Sequence, residues 1–263
     1  MTLCIDANTL KQDLEAAYQE MSKDKKRTIE ALHWSKNLIG HVKYRKSDKN
    51  SIRIMSEHFK GLFITFEGIE GSGKSTQLKL TEKYLKSKGF PVVCTKEPGG
   101  TEIGQKIRQW VLDPAYHFSS PLTELLLFTA DRVEHISSLI IPSLRSGKIV
   151  LCDRFVDSTL AYQIGGRKVP SSIAQACVGL VKIQPHLTFL FDDEVSVCLA
   201  RAKSRVQTDR FENESMAFHE RVRKAYLKRS LQDPERIKVL SIRGLTTEHV
   251  FEKIQEYLKK LSL

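Results

Sequence analysis

The sequence has little of what membrane-spanning, secreted or zinc-binding proteins need. No stretch approaches the roughly 18 consecutive apolar residues of a membrane-spanning helix. Residues 1–20 lack a basic start followed by an apolar core, so no secretory signal is predicted. The five cysteines are scattered, and no two have the CxxC spacing of a zinc or redox site. This pattern is typical of reduced thiols and predicts a cytoplasmic protein with no membrane association.

What the sequence does have is an excess of positive charge and enough apolar residues for a sizeable core. Its 263 residues are 41% hydrophobic, which excludes disorder of the whole chain and favours one large domain, with or without an appendage. The 42 Lys and Arg exceed the 31 Asp and Glu, giving a formal charge of +11. The partners are therefore expected to be anionic, and both nucleic acid and small phosphorylated metabolites fit this charge.

The chain changes character near residue 54. Residues 1–54 contain glycine only at Gly40, and the segments 8–26 and 28–42 have the apolar spacing of amphipathic helices. We therefore predict an N-terminal extension over residues 1–54 that is mostly helical, with disorder as the alternative. Residues 55–263 are predicted to form the main domain.

From Gly61 onward, strand-like and helix-like segments alternate. Strands are predicted at about residues 62–67, 91–95, 148–152, 187–191 and 237–241. Helices are predicted at 74–88, 102–112, 121–145, 171–182, 194–205, 213–231 and 247–260. Because the strand runs are apolar on both faces, we predict an α/β fold in three α/β/α layers around a five-stranded parallel sheet. Ligands of such folds bind at the carboxyl ends of the strands.

The segment GIEGSGKS, residues 68–75, has the GxxxxGK[ST] spacing of a P-loop between a predicted strand and a predicted helix. Glycines let successive backbone N–H groups surround phosphate oxygens, and the following helix presents its positive end. Lys74 is expected to reach the terminal phosphates, and the Ser75 hydroxyl is expected to coordinate Mg²⁺. The predicted nucleotide-binding residues are Gly68, Ile69, Glu70, Gly71, Ser72, Gly73, Lys74, Ser75 and Thr76.

A P-loop alone leaves the use of the nucleoside triphosphate open. A switch GTPase would usually carry a guanine-reading NKxD motif, which this sequence lacks. A motor or transport ATPase would need a carboxylate that positions water and further coupling domains. A kinase of small molecules would need a second pocket for the acceptor and cations around the transferred phosphoryl group.

Four further segments, together with the P-loop, decide between these classes. FEGIEGSGKST, KEPGGT, LLLFTADRVEHI, DRFVDSTLAYQ and DRFENE occur in this order between about Phe59 and Leu263. In sequence, order and spacing they resemble the thymidylate kinases, the ATP-dependent kinases of dTMP among the P-loop nucleoside monophosphate kinases. The resemblance implies that the chain binds ATP, dTMP and Mg²⁺, makes dTDP for dTTP synthesis, and forms a homodimer.

The resemblance also implies which residues hold dTMP. Arg108 would grip the acceptor phosphate, although a solvated arginine is the alternative from its spacing alone. Phe128 and Arg132 lie four residues apart on one helix face, where a ring can stack on thymine and a guanidinium can donate to its carbonyl. The full predicted dTMP set is Glu70 for the 3′-OH, Arg108, Phe128, Arg132, Ser158 and Gln163 for the base, and Tyr162 against a ribose 2′-OH.

Phosphoryl transfer depends on positioning and charge neutralisation, so the catalytic set is expected to be cationic. In VLCDRF, Asp153 can help to hold Mg²⁺ and Arg154 can bridge the donor and acceptor phosphates. Some thymidylate kinases carry an arginine in the P-loop, where this chain has Gly71, so the remaining charge must come from a lid at about residues 201–214. The predicted catalytic residues are Lys74, Arg154, Arg205 and Arg210, and the predicted metal ligands are Ser75 and Asp153.

Two departures from the family pattern leave alternatives open. Lys96 stands where the family usually has arginine, which puts a bidentate contact at this position in doubt. For residues 1–54, the hypotheses are translation from Met55, an accessory segment that binds a partner, and a targeting peptide. The rival functions are another nucleoside monophosphate or deoxynucleoside kinase and an ATPase whose basic leader recruits nucleic acid, although nucleic acid is not required to explain the charge.

Overall fold

The computed structural model describes residues 59–180, 183–203, 209–261 and 263. The predicted N-terminal extension, the hypothetical start at Met55 and the predicted catalytic Arg205 lie outside the described residues. Within the described ranges, no helix combines the length and the apolar character needed to cross a membrane.

The centre of the fold is a parallel sheet of five strands in the order β2-β3-β1-β4-β5. The strands are β1 Phe63–Glu67, β2 Val92–Lys96, β3 Ile149–Asp153, β4 Leu187–Asp192 and β5 Ile237–Ser241. All five predicted strands are confirmed. Alternate residues of one strand point to opposite faces, so Ile64 and Phe66 pack in the core on one side of the sheet while Phe63 packs in the core on the other. Both faces are therefore covered, as the three-layer prediction requires.

Helices fill the two outer layers. Their bounds are α1 Lys74–Ser87, α2 Glu102–Leu112, α3 Pro121–His135, α4 Ile141–Arg145, α5 Val156–Thr159, α6 Ser171–Gly179, α7 Val195–Lys203, α8 Met216–Gln232 and α9 Thr247–Lys260. A π-helical turn, Ile136–Ile140, joins α3 to α4, so the segment predicted as one helix is helical throughout. Every predicted helix is present.

One helical segment was not predicted from the sequence. Residues 156–166 form α5 and a second π-helical turn, Leu160–Gly166, that runs directly from it. Two adjacent glycines favour a loop, but here they let this segment approach α8 closely. A Cβ at Gly165 would lie 2.7 Å from the Ala225 Cβ, and one at Gly166 would lie 2.6 Å from the Phe218 ring. Close packing against α8 thus stabilises a helix that local sequence does not indicate.

The register of the strands brings three motifs to one edge of the sheet. Phe66 of β1 and Lys96 of β2 both pair with Asp153 of β3. The P-loop, the EPGG segment and the DRF segment follow these three strand ends, so they meet at the carboxyl edge, where parallel sheets bind their ligands.

Candidate active site

The P-loop leads directly into helix α1, whose N-terminus has no side-chain cap. Gly73, the residue before α1, has a φ of 85° and provides no side chain that caps the helix. Gly71 has a φ of 73°, and a Cβ there would lie 1.9 Å from the Cys198 carbonyl oxygen of α7. An arginine at this position would therefore collide with α7, which explains why the loop itself carries no such cation.

Lys74 lies inside the P-loop and is buried. Its Nζ donates to the Ile69 carbonyl oxygen at 2.7 Å and lies 3.4 Å from the Ser72 hydroxyl oxygen. Burial, together with the nearby Arg154 guanidinium, lowers the pKa of Lys74 to about 8. Phosphate oxygens would raise this pKa again, because they would add negative charge beside the ammonium.

Ser75 and Asp153 form the predicted metal-binding pair. The Ser75 hydroxyl donates to a carboxylate oxygen of Asp153 at 2.6 Å. Both are hard oxygen donors, and Mg²⁺ sites in nucleotide enzymes commonly use one or two such ligands, completed by phosphates and water. Among the residues that the structure describes, no three His, Cys, Asp or Glu side chains cluster into a metal site. The pair therefore fits a Mg²⁺ ion that is bound together with a nucleotide.

Arg154 stands between the P-loop and the segment that follows β3. It has a φ of 71°, a left-handed conformation that is strained for a residue with a side chain. Its guanidinium donates to the Gly68 carbonyl oxygen at 2.9 Å and to the Glu70 carboxylate at 2.8 Å. It also lies 5.0 Å from the centre of the Tyr162 ring. The cation is therefore fixed over the mouth of the P-loop.

Arg154 and Tyr162 donate to Glu70, and His219 lies close to it. The Tyr162 hydroxyl donates to its Oε1 at 2.6 Å, and His219 Nδ1 lies 3.4 Å from its Oε2. Burial by itself raises the pKa of Glu70, but Arg154 and the contact with His219 outweigh burial and hold this pKa well below its usual range. Glu70 is therefore an anion that can accept a hydrogen bond from a sugar hydroxyl.

The EPGG segment lies beside the P-loop and contacts two of the predicted acceptor-binding cations, Arg108 and Arg132. Arg108 donates to the Pro98 carbonyl oxygen at 2.9 Å and packs on Gly99, where a Cβ would lie only 2.9 Å from the Arg108 Cδ. The Gly99 N–H donates to Asp131 at 3.0 Å, and burial beside Glu97 raises the pKa of Asp131 to about 6. This carboxyl thus holds the loop on which Arg108 rests.

Arg132 is more enclosed than the sequence indicated. Its Nε donates to Glu97 at 2.8 Å, its Nη2 donates to the Phe155 carbonyl oxygen at 3.2 Å, and its guanidinium lies 5.3 Å from the centre of the Phe155 ring. Glu97 also contacts His135 Nδ1 at 3.0 Å. Arg132 nevertheless lines the cleft, so it can still present an N–H to a base.

These residues enclose one cleft of about 610 Å³, a size typical of small-molecule sites. Every predicted dTMP residue lines it, as do the predicted metal ligands, Lys74 and Arg154. The predicted residues that line the cleft are Glu70, Gly71, Gly73, Lys74, Ser75, Thr76, Arg108, Phe128, Arg132, Asp153, Arg154, Ser158, Tyr162 and Gln163.

Arg210 lies in a different place from the other predicted cations. Its Nη2 donates to Glu124 at 2.5 Å, its Nε donates to the Val111 carbonyl oxygen at 3.0 Å, and its guanidinium stacks near the Phe118 and Phe211 rings. It lines a second cavity, of about 450 Å³, next to the main cleft.

Glu124 has other hydrogen-bond partners besides Arg210. This buried carboxylate also accepts from Arg167 Nε at 3.1 Å and from the Gln163 side chain. One anion of α3 thus joins the predicted base-binding amide to the segment that carries Arg210.

Sequence reasoning missed four buried carboxylates that position the predicted cations and loops. A signal was available, since each lies inside one of the quoted motifs or directly beside one, and Asp or Glu are rarely buried unless paired. They are Glu67, Glu97, Glu124 and Asp131.

The fold and the site together define a P-loop kinase of nucleotides, with a phosphate cradle and an acceptor pocket in one cleft. The profile of the family described as "Thymidylate kinase" matches residues 66–254. The chain therefore belongs to the thymidylate kinase family.

Individual relatives agree with the family assignment. A thymidylate kinase of Pelobacter propionicus is 50% identical over 187 residues, covering 67% of this chain and 84% of the relative. A thymidylate kinase of Ectopseudomonas mendocina is 44% identical over 205 residues, covering 76% of this chain and 96% of the relative. The crystal structure of thymidylate kinase from Ehrlichia chaffeensis superposes with a TM-score of 0.62 at 34% identity, covering 75% of this chain and 98% of that one.

Proposed function

We propose that the residues of this cleft carry out the dTMP kinase reaction, with separate groups that bind ATP, bind dTMP and stabilise the transferred phosphoryl group. The enzyme transfers the γ-phosphoryl group of ATP to dTMP and gives dTDP, a step in dTTP synthesis. The observation that carries the proposal is that the P-loop lysine, the Ser75–Asp153 pair and Arg154 face the same cleft as Arg108 and Phe128.

On the donor side, residues 68–76 hold the triphosphate of ATP. Lys74 leaves its backbone acceptor at Ile69 for the β- and γ-phosphates, which offer it full negative charge. Ser75 and Asp153 hold Mg²⁺, which neutralises charge on the phosphate oxygens when it is bound.

On the acceptor side, dTMP lies between EPGG and the segment 158–163. Arg108 grips its phosphate, Phe128 stacks on the thymine, and Arg132 donates to a base carbonyl. Ser158 and Gln163 approach the base edge. Glu70 accepts from the 3′-OH, while Tyr162, held on Glu70 at 2.6 Å, fills the space that a ribose 2′-OH would need.

The transfer itself needs no general base, because the attacking oxygen of dTMP is already an anion. That oxygen bonds to the γ-phosphorus, the bond to the β–γ bridging oxygen breaks, and ADP leaves with the electron pair. Arg154 bridges the two phosphates during this exchange. Arg205 and Arg210 are assigned to the transferring group, and for Arg210 this requires that phosphate oxygens replace Glu124 as its partner.

We also propose that the enzyme is a homodimer that docks through α2, α3 and α6, which pack side by side. Large apolar side chains are exposed on all three helices, and exposed apolar residues grouped in this way favour an interface. They are Ile103, Trp110, Leu122, Leu126, Val133 and Ile173.

Leu126→Glu should convert dimers to monomers in light scattering. Leu231→Glu, on the exposed side of α8, is the matched control that should not.

The activity is tested with purified protein, ATP and Mg²⁺ against dTMP, dUMP, UMP, CMP, AMP and GMP, with ADP release measured and products separated by chromatography. Turnover with dTMP should far exceed that with the ribonucleotides. Phe128→Ala should raise KM for dTMP at least about fivefold and leave KM for ATP within about twofold, because stacking contributes about 1 to 3 kcal/mol per base.

Turnover with another monophosphate alone would reassign the acceptor pocket. Stimulation of ATP hydrolysis by DNA or RNA in the absence of any monophosphate would favour the nucleic-acid ATPase instead. We place the reaction in the cytoplasm, where ATP and deoxynucleotides are metabolised.

A further inference from the structure

Glu67 is a fully buried carboxylate that no step above uses. It is the last residue of β1 and directly precedes the P-loop. Its Oε1 accepts from the Phe155 N–H at 2.7 Å, and its Oε2 accepts from the Ser158 hydroxyl at 2.6 Å and the Tyr226 hydroxyl at 2.9 Å. A buried charge is costly even with such partners, so its presence needs a reason.

All three donors surround Arg154. Phe155 is its neighbour in the chain and is held where Arg154 takes its left-handed conformation. The Ser158 hydroxyl oxygen lies 3.4 Å from Arg154 Nη1, and the Tyr226 hydroxyl oxygen lies 3.3 Å from it. Glu67 therefore contacts the backbone on one side of Arg154 and both hydroxyls that face its guanidinium.

The direction of the hydroxyl protons follows from the anion. Each hydroxyl has one proton, and each can donate it to an acceptor that lies closer than the Arg154 guanidinium, either Glu67 or the other hydroxyl at 2.7 Å. Their lone pairs are thus left to face the Arg154 N–H, which is a pure donor. An amide in place of the carboxylate would donate a proton to one of these hydroxyls and disturb this arrangement.

We propose that Glu67 is a positioning residue for phosphoryl transfer: it orients the Ser158 and Tyr226 hydroxyls as acceptors and thereby fixes the Arg154 guanidinium where it bridges the two phosphates. Nη2 of the same guanidinium donates to Glu70 at 2.8 Å, so hydrogen-bond acceptors hold the guanidinium on two sides. The proposal rests on the role assigned to Arg154 under the proposed function.

The test is a double-mutant cycle at pH 8.5 with Glu67→Gln and Arg154→Lys. Glu67→Gln should lower kcat tenfold or more, because small misplacements of catalytic groups cost up to about a hundredfold, and KM for ATP and dTMP should stay within about twofold. In the Arg154→Lys background, where no guanidinium is present to be oriented, Glu67→Gln should change kcat less than about twofold.

A second variant and a control make the outcome decisive. Ser158→Ala combined with Tyr226→Phe removes both hydroxyls but keeps the carboxylate, and it should reproduce the loss of kcat. Asp192→Asn breaks an ion pair with Arg223 at the end of the neighbouring strand, so it should lower Tm and leave kcat unchanged.

The result separates this proposal from the proposed function. If Glu67→Gln keeps full kcat, or costs the same factor in both backgrounds, Glu67 is structural and the proposal is overturned. If Arg154→Lys itself keeps full kcat, the role assigned to Arg154 fails, and the positioning proposal fails with it.

Discussion

Glu67 should make the enzyme less stable as the pH rises through neutrality. Burial and the nearby Asp157 carboxylate raise the pKa of Glu67 from 4.5 to about 7, although Ser158 and Arg154 oppose the shift. The folded state then keeps this proton to higher pH than the unfolded state does. The contribution is fully favourable below pH 4.5 and is lost as the pH rises through 7.

The magnitude follows from the size of the shift. A difference of about 2.5 pH units corresponds to about 3 kcal/mol at 1.36 kcal/mol per unit. The amide that replaces the carboxyl in a Glu67→Gln variant does not titrate, so the variant should gain stability relative to the wild type as the pH rises.

Urea unfolding of both proteins at several values between pH 5 and pH 8.5 measures this difference. The free energy of unfolding of Glu67→Gln minus that of the wild type should increase by about 2 to 3 kcal/mol across the range, and titrating groups common to both proteins cancel in the subtraction. A difference that stays flat, or that falls with pH, would refute the raised pKa that burial and the nearby Asp157 give to this carboxyl.

Two further predictions concern the P-loop and the metal pair. Gly71→Ala should lower the free energy of unfolding, measured in urea, by more than about 2 kcal/mol, because the new Cβ meets the Cys198 carbonyl at a strained φ. Gly89 also has a positive φ, of 86°, but open space around it, so the control Gly89→Ala should lower the free energy of unfolding by only about 1 kcal/mol. Equal losses would contradict the close contact. Asp153→Asn should raise the free Mg²⁺ concentration for half-maximal kcat at least tenfold, because Ser75 would lose its carboxylate partner. An unchanged Mg²⁺ dependence would remove Asp153 from the metal site.

The repeating part of the fold could be predicted because its signal is local. Apolar runs of five or six residues alternate with amphipathic segments, and the P-loop marks the first turn from strand to helix. The helix over residues 156–166 could not be predicted, since its glycines favour a loop until α8 packs against them. There the tertiary contact, rather than the local propensity, decides the structure.

Most of the predicted site residues line one cleft, but their partners did not follow from the sequence. Tyr226 donates to Glu67 across 159 residues of chain, and Arg154 donates to Glu70 across 84. Periodicity and motif spacing carry no information about such pairs. The sequence around Arg210 likewise indicated a cluster of positive charge, but it did not indicate that Arg210 pairs with Glu124.

The pairing of cations with buried carboxylates has a chemical consequence for an enzyme that binds two phosphates. Two cations predicted to meet phosphate have such a partner at hydrogen-bond distance: Arg154 with Glu70 and Arg210 with Glu124. An arginine held by a carboxylate is already oriented, so less side-chain entropy is lost when a phosphate arrives. We therefore expect the buried carboxylates to keep these two side chains ordered until a phosphate replaces them as the partner.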